Sequence, residues 1–238
     1  MTLWFVTPAW RRYDLTAVCL DQRARVIETL AQHGIEARCV VVADDENLDI
    51  ARGLGFDTVE RDNEWLGRRF NDGIEYAGAH GASRIIPIGS DSWIDPAYFL
   101  PLPTRQFTMT ASSYAVVAVD RMAELQVDDT KGVGPYVFPR FAFRRSAFRP
   151  AKDEITYGVD SSTVKGIHMR LRWKRQDVHP LQYVGFRGVP FISSYAGLYA
   201  KWGVREHRDP WAKLAQHYPL DLVERARAVL EGQKAVAA

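Results

Sequence analysis

An α/β fold, with a mostly parallel central sheet flanked by helices, is what this sequence predicts. Three observations carry the expectation. Short apolar runs alternate with segments of helical periodicity through residues 1–100. The run Cys39-Val40-Val41-Val42 is unbroken, as in a strand covered on both faces. Polar, turn-forming segments follow three of the apolar runs directly, and strand ends of this kind are where ligands gather in parallel sheets. Those segments are Thr7-Pro8-Ala9-Trp10-Arg11, Asp44-Asp45-Glu46-Asn47 and Gly89-Ser90-Asp91-Ser92-Trp93.

Each element has its own signal. Leu3 to Thr7 is a buried strand ended by Pro8. Leu15 to Gln32 carries Val18, Cys19, Val26, Ile27 and Leu30 at helical spacing, and Gly34 closes the helix. Ala37 to Ala43 is the second strand, Leu48 to Leu54 a short helix, and Asp57 to Glu60 a brief strand. Glu64 to Ala79 is helical with Gly81 behind it, and Arg84 to Ile88 is a further buried strand. Strand and helix in this alternation imply right-handed crossovers between parallel strands. The second half is less regular. Phe107 to Val119 reads as strand, and Lys131 to Pro139 reads as a loop because it holds two Gly and two Pro. Phe141 to Phe148 is extended, Gly158 to Trp173 helical, Gln182 to Ile192 a strand, and Pro210 to Leu230 one or two helices. No repeat or linker divides the chain. The expected organisation is one domain over 1–238, with residues 1–100 binding a nucleotide and 101–238 facing an acceptor.

Composition sets the outer limits. The 238 residues are 47% hydrophobic and 25% charged, the balance of an ordinary globular protein, and the length suffices for a large core. A net charge of only +2 argues against a chain devoted to coating nucleic acid. Cys19 and Cys39 stand in apolar stretches without metal-ligand spacing, so both are expected as buried thiols. No apolar run approaches the ~20 residues of a membrane helix. The N-terminus has no basic segment followed by an apolar stretch, which makes the cytoplasm the expected location. Several of the seven Trp, among them Trp10, Trp65 and Trp93, lie beside turn signals. They serve either as lids on the core or as platforms for a base or sugar ring.

The chemistry-bearing residues sit at strand ends. Asp44 and Asp45 follow the second strand, where a carboxylate either caps the next helix or accepts the N3–H of a uracil. Asp91, after small Gly89 and Ser90, either caps a turn leading to Pro96 or serves as a ligand to Mg²⁺ or Mn²⁺. Such an ion neutralises a leaving diphosphate. Lys131 to Arg140 is a candidate lid over a donor. Lys165, His168, Arg170, Arg172, Lys174 and Arg175 follow one another without an acidic residue between. That stretch is a solvated helix face, a diphosphate clamp or a seat for an anionic acceptor such as DNA.

Taken together, Val6 to Pro96 resembles the nucleotide-binding half of family 2 glycosyltransferases, which have the Rossmann-like GT-A fold. The matching segments, in the family's order, are Thr7-Pro8 with Arg11 or Arg12, then Val41-Val42-Ala43-Asp44-Asp45, then Arg69-Phe70-Asn71-Asp72-Gly73, then Gly89-Ser90-Asp91. The resemblance implies that Thr7, Pro8, Arg11, Asp44, Asp45, Arg69, Asn71, Gly73, Ser90 and Asp91 line a nucleotide-sugar site, with Asp45 near the base. It implies Asp91 as a ligand of Mn²⁺ or Mg²⁺, although Gly89 and Ser90 stand where the family prefers carboxylates. His179 corresponds to the late His that some GT-A enzymes add as a metal ligand. Asp160, in Gly158-Val159-Asp160-Ser161-Ser162, corresponds to the base of inverting members, with Asp153-Glu154 as its rival. More loosely, the chain resembles small glycosyltransferases encoded by bacteriophages.

The function expected on this resemblance is transfer of a sugar from a nucleotide-sugar, a UDP-sugar first, to an acceptor hydroxyl of a protein, a glycan or a modified DNA base. The alternatives are a sugar nucleotidyltransferase, whose Gly-rich first loop Thr7-Pro8-Ala9-Trp10 lacks, and a non-catalytic module binding nucleotide or nucleic acid.

Overall fold

The computed structural model describes residues 2–44, 46–100, 108–126, 133–139, 173–176, 178–187, 196, 199–200 and 203–237. The first half follows the predicted alternation. It runs β1 (Thr2–Pro8), α1 (Tyr13–Gln32), β2 (Glu36–Ala43), α2 (Asn47–Gly53), β3 (Asp57–Glu60), α3 (Leu66–Ala79), β4 (Arg84–Pro87) and β5 (Ser92–Ile94). After it come β6 (Thr108–Ala111), β7 (Ser113–Val117), β8 (Met122–Gln126), β9 (Val133–Pro139), β10 (Trp173–Gln176), β11 (Tyr183–Phe186) and β12 (Gly203–His207). Two helices, α4 (Pro210–Ala215) and α5 (Leu220–Ala237), close the chain. No helix among the described residues is long and apolar enough to cross a membrane.

The central sheet has the order β10-β6-β9-β4-β1-β2-β3, and β3, β2, β1 and β4 are mutually parallel. The chain steps outward from β1 to β2 to β3, then α3 carries it back to β4 on the other side of β1. The order therefore reverses between β1 and β4, and their carboxyl ends flank a crevice. Period-two alternation along β1 explains its unbroken apolar run. Leu3 and Phe5 face α1 and α2, while Trp4 and Val6 face Phe70, Ile74 and Ala77 of α3.

A second sheet, β12-β8-β7-β11-β5, leans on the opposite side of α1. Leu15, Val18 and Cys19 of α1 pack there with Trp93, Val184, Phe186 and the apolar faces of α4 and α5. Arg25–Asp221 and Arg225–Asp21 pairs tie α1 to α5 at the rim.

Three segments of the second half differ from expectation. The strand read over Phe107 to Val119 is two strands in two sheets, described from Thr108 and divided at Ser112. The Ser112 hydroxyl accepts the Val178 N–H at 3.4 Å and the Ser113 hydroxyl donates to the Val178 carbonyl at 2.7 Å, which fixes the crossing from one sheet to the other. Lys131 to Pro139 is not a loop or lid: from Val133 it forms β9, antiparallel to both β4 and β6. Pro135 is tolerated because pairing with β6 is irregular between Val133 and Val137, and Pro139 ends the strand opposite Arg84. Trp173 starts β10 instead of ending a helix, and Gln182 closes a 3₁₀ turn (Pro180–Gln182) before β11 begins. The expectations for 141–148 and 158–172 lie outside the described residues.

Gly73 shows how tightly α3 meets the sheet. A Cβ there would stand 2.5 Å from Val6 Cγ1 and 2.9 Å from Val42 Cγ2. Gly73→Ala gains up to ~1 kcal/mol of helix propensity, but overpacking costs about 1–3 kcal/mol. Two β-branched side chains leave little room to give, so net destabilisation is expected. Urea denaturation measures it, and a Gly73→Ala protein as stable as the parent would mean that α3 shifts freely.

Candidate functional site

The crevice between β1 and β4 is built from the two turns that leave these strands. After β1 the chain is clamped at Ala9, whose N–H donates to the Val42 carbonyl at 3.0 Å. The Arg69 guanidinium on α3 donates to the Ala9 carbonyl at 2.8 Å. The buried Asn47 amide, at the start of α2, donates to the Arg11 carbonyl at 3.4 Å. Held this way, Arg11 and Arg12 adopt φ of 51° and 53°, left-handed conformations that side-chain-bearing residues seldom take. Strain of this kind persists where surrounding contacts over-determine it, and it clusters at functional sites. Arg12 is also the N-cap of α1 and contributes no side-chain cap to it. Trp10, 43% exposed, lies at the mouth with the Arg11 guanidinium 4.7 Å from its ring centre.

The opposite wall is the Gly89-Ser90-Asp91 turn after β4. Asp91 Oδ2 accepts from Arg12 at 3.1 Å and from Arg187 at 3.3 Å, while Oδ1 accepts the Ser92 hydroxyl at 3.2 Å. Arg187 is fixed by backbone bonds on both sides: its own N–H donates to the Val117 carbonyl, and the Phe186 N–H donates to the Asp91 carbonyl. Burial pushes the Asp91 carboxyl up, but the Arg187 and Arg12 charges outweigh it and hold the group below its ordinary value. Glycines make the room. A Cβ on Gly89 would stand 2.6 Å from Asp91 Oδ1, and one on Gly185 would stand 3.1 Å from a guanidinium nitrogen of Arg187. The Ser90 side chain is buried, and its hydroxyl has no hydrogen-bond partner among the described residues.

The sequence-derived residues divide into those at the crevice and those beneath it. Pro8 ends β1, Arg11 lies in the clamped turn, and Ser90 and Asp91 form the facing turn. Asp44 follows β2 and is exposed; Asp45 lies outside the described residues, as do Asp160, Asp153 and Glu154. Thr7 faces inward, and its buried hydroxyl accepts from Arg23 at 3.0 Å. Arg69 and Asn71 are buried, Arg69 as the clamp on Ala9, and Gly73 packs under Val6 and Val42.

His179 does not join these residues. It caps the 3₁₀ turn before β11, its Nδ1 accepting the Leu181 N–H and its own N–H donating to Gln182. It stacks near His217, which pairs with Asp95 at 2.6 Å. Because β5 and β11 are antiparallel, Asp91 lies beside Phe186, at the opposite end of β11 from His179. The two do not share a site.

A divalent cation was expected at Asp91. There the carboxylate already receives two guanidiniums and a hydroxyl, and a third cation would meet their repulsion. Among the described residues no group of three His, Cys, Asp or Glu is placed to hold a metal. Among the described residues, the donor set at Asp91 does not fit a metal ion.

Two site residues escaped the sequence. Arg187 is an isolated cation after a short strand, without a motif. Arg23 is fully buried and bridges Thr7 to the Ser92 carbonyl, both at 3.0 Å, with its guanidinium 5.2 Å from the Phe5 ring centre. Its signal was present: a charged residue four places after Cys19 and three before Val26 interrupts an apolar helix stripe.

A parallel β3-β2-β1-β4 core with a strand-end crevice at the reversal, extended by antiparallel strands, defines an α/β fold of the GT-A-like kind. Staphylococcus aureus TarS, residues 1–349, has a TM-score of 0.59 to this chain at 12% identity, over 78% of this chain and 60% of that one. The same TarS segment in complex with UDP gives 0.57 at 13% identity, over 79% and 61%. This chain thus spans about three fifths of the TarS segment. A putative nucleotide-diphospho-sugar transferase from Desulfovibrio desulfuricans G20 gives 0.53 at 15% identity, covering 98% and 96% of the two chains. CMP:2-keto-3-deoxy-manno-octonic acid synthetase complexed with CTP gives 0.51 at 13% identity, covering 92% and 100%. No protein-family model matches the chain, and no curated protein matches its sequence.

The charge cluster has a testable pH signature. With a folded-state pKa below the unfolded one, Asp91 contributes stability fully above the ordinary carboxylate pKa of ~3.9 and loses it as pH falls through the lower folded value. Asp91→Asn is expected to cost about 1–3 kcal/mol at pH 7, by leaving two half-buried guanidiniums without their charge partner. The gap to the parent should begin to narrow below pH ~4, where the unfolded chain's carboxylate takes up its proton, and close as pH falls through the lower folded value. Denaturant titrations across pH measure it; a gap that is constant with pH would show that the effect is not electrostatic.

Proposed function

We propose that this protein is a glycosyltransferase that moves a sugar from a nucleotide-sugar, a UDP-sugar first, to an acceptor hydroxyl with inversion. The observation that carries the reading is the crevice where strand order reverses between β1 and β4, walled by the clamped Arg11-Arg12 turn and the Asp91 turn. Its likeness to a transferase segment bound to UDP supports the choice of nucleotide. In this reading the base lies toward the end of β2, where Asp45 accepts the uracil N3–H, and Trp10 offers an exposed ring at the mouth. The diphosphate points to the Asp91 turn. Thr7, Arg69, Asn71 and Gly73 support the walls from below, and Pro8, Asp44 and Ser90 complete the lining.

In the transfer the acceptor oxygen bonds to the anomeric carbon while the bond from that carbon to the diphosphate breaks, its electron pair remaining on the leaving phosphate oxygen. The acceptor's proton goes to a carboxylate base. We assign that role to Asp160 by its resemblance to inverting relatives. The acceptor is a hydroxyl of a protein, glycan or modified DNA base, met by the second half of the single domain. A bacteriophage origin and a cytoplasmic site of action accompany this proposal.

Likeness to a CTP-bound synthetase along its whole length favours a second reading, sugar nucleotidyl transfer. The products separate the two. Release of UDP from a UDP-sugar is the expected outcome; pyrophosphate released from a nucleoside triphosphate and a sugar phosphate would replace the proposal with the second reading. Tight binding without turnover of either would leave a non-catalytic module. Asp45→Ala should weaken UDP binding about tenfold, from an unpaired base edge worth ~1–3 kcal/mol. Asp160→Asn should slow transfer about 10²–10⁴-fold with UDP binding unchanged. Full turnover by Asp160→Asn, or a product keeping the donor's anomeric configuration, would remove that assignment.

A further inference from the structure

Single apolar side chains exposed on a surface are ordinary. Trp10 is set apart by the backbone that carries it. On one side, the Ala9 N–H donates to the Val42 carbonyl and the Ala9 carbonyl accepts from Arg69. On the other, the Arg11 carbonyl accepts from the Asn47 amide. Arg11 and Arg12 then follow in left-handed conformations, at φ of 51° and 53°. The turn is thus fixed from β2, α2 and α3, and what it presents to solvent is an indole. Among the described residues Trp10 is the one tryptophan so exposed, at 43%, and it enters none of the apolar clusters of the core. Its ring contact is with the Arg11 guanidinium, 4.7 Å from the ring centre.

An indole is a broad, flat face with only two side-chain torsions to order, so it binds flat partners at small entropic cost. Nucleobases and sugar rings both qualify, and location separates them. The ties of the turn run to Val42, near the end of β2, and to Asn47, at the start of α2. Pro8, two residues before Trp10, is in register with Val42, and exposed Asp44 ends the same strand. The Gly89-Ser90-Asp91 turn follows β4, on the other side of β1. In the donor reading the base lies on the β2 side and the diphosphate on the β4 side.

Resting on that reading, we propose that Trp10 is the stacking platform for the nucleobase. The Arg11 guanidinium covers part of the indole and steadies it, and the exposed remainder receives the base. Every base has a π-face, so the platform supplies affinity without choosing among bases. The choice falls to a group at the base's edge, the role assigned above to Asp45.

Binding of uridine, UDP and pyrophosphate is measured calorimetrically for the parent, Trp10→Ala and Trp10→Phe. Trp10→Ala should weaken uridine and UDP by the same factor, about tenfold or more, and leave pyrophosphate unchanged. Trp10→Phe keeps an aromatic face and should recover most of the loss. Urea denaturation should find Trp10→Ala as stable as the parent, because the ring lies outside the core clusters. Uridine should also quench part of the parent's indole fluorescence, and that part should be missing in Trp10→Phe. The fluorescence comparison stands even if Trp10→Ala fails to fold. Unchanged uridine and UDP affinities in Trp10→Ala overturn the inference and leave the donor reading intact. A loss confined to UDP, with uridine unaffected, also overturns it, since the ring then acts on the diphosphate and not the base. A parent that binds neither uridine nor UDP overturns both.

Discussion

Beneath the carboxyl edge of the central sheet one buried guanidinium holds two strands in place. Arg23 reaches from α1 to the Thr7 hydroxyl at the end of β1 and to the Ser92 carbonyl at the start of β5, and its ring-facing side lies on Phe5. Burial lowers its pKa, with the neighbouring Cys39, Cys19 and Tyr183 acting the other way. A buried cation is costly unless its donors are satisfied. With its Nε lacking a partner among the described residues, Arg23 depends on these two bonds, which hold only while the helix and both strands keep their relative positions. β5 is the seam between the two sheets: through it β11 is registered, and through β11 the Arg187 side chain arrives at Asp91. The crevice thus inherits its geometry from a contact that never reaches its surface.

Around that anchor the core is sorted by the period-two pleat. β1 presents alternate residues to α1 and to α3, so one unbroken apolar run satisfies two layers. Helix α1 is covered on a second side by β5, β11, α4 and α5, which explains why Cys19 is buried and its thiol pKa pushed up, chiefly by desolvation. Burial also raises Cys39, to about 11. Both are inert packing groups as the sequence had suggested, since the reactive form is the thiolate. The cost of this tight assembly appears at Gly73, Gly89 and Gly185, where an added methyl group would crowd its neighbours.

At the Asp91 turn the crevice brings opposite charges together. A carboxylate at a strand end beside a cleft suggests a cation site, and the sequence invited that interpretation of Asp91. Two arginines, seventy-nine and ninety-six residues away along the chain, pair with that carboxylate. One of them belongs to the clamped turn after β1 and the other to the strand beside β5, so the charge balance at Asp91 is a property of topology.

By itself the sequence determined the parallel β-α-β order of the first half, the strand ends that carry polar turns, the terminal helices and the burial of both cysteines. These depend on local periodicity, on turn residues and on short-range spacing, all readable along the chain. Tertiary structure alone decided that Lys131 to Pro139 contributes a strand, because an irregular pairing with β6 accommodates Pro135. It alone decided that 108–117 serves two sheets, that His179 caps a turn far from Asp91, and that Arg187 and Arg12 converge on one carboxylate. Each of these is a long-range meeting of segments whose own sequences carry no record of the partner, so only the folded chain could reveal it.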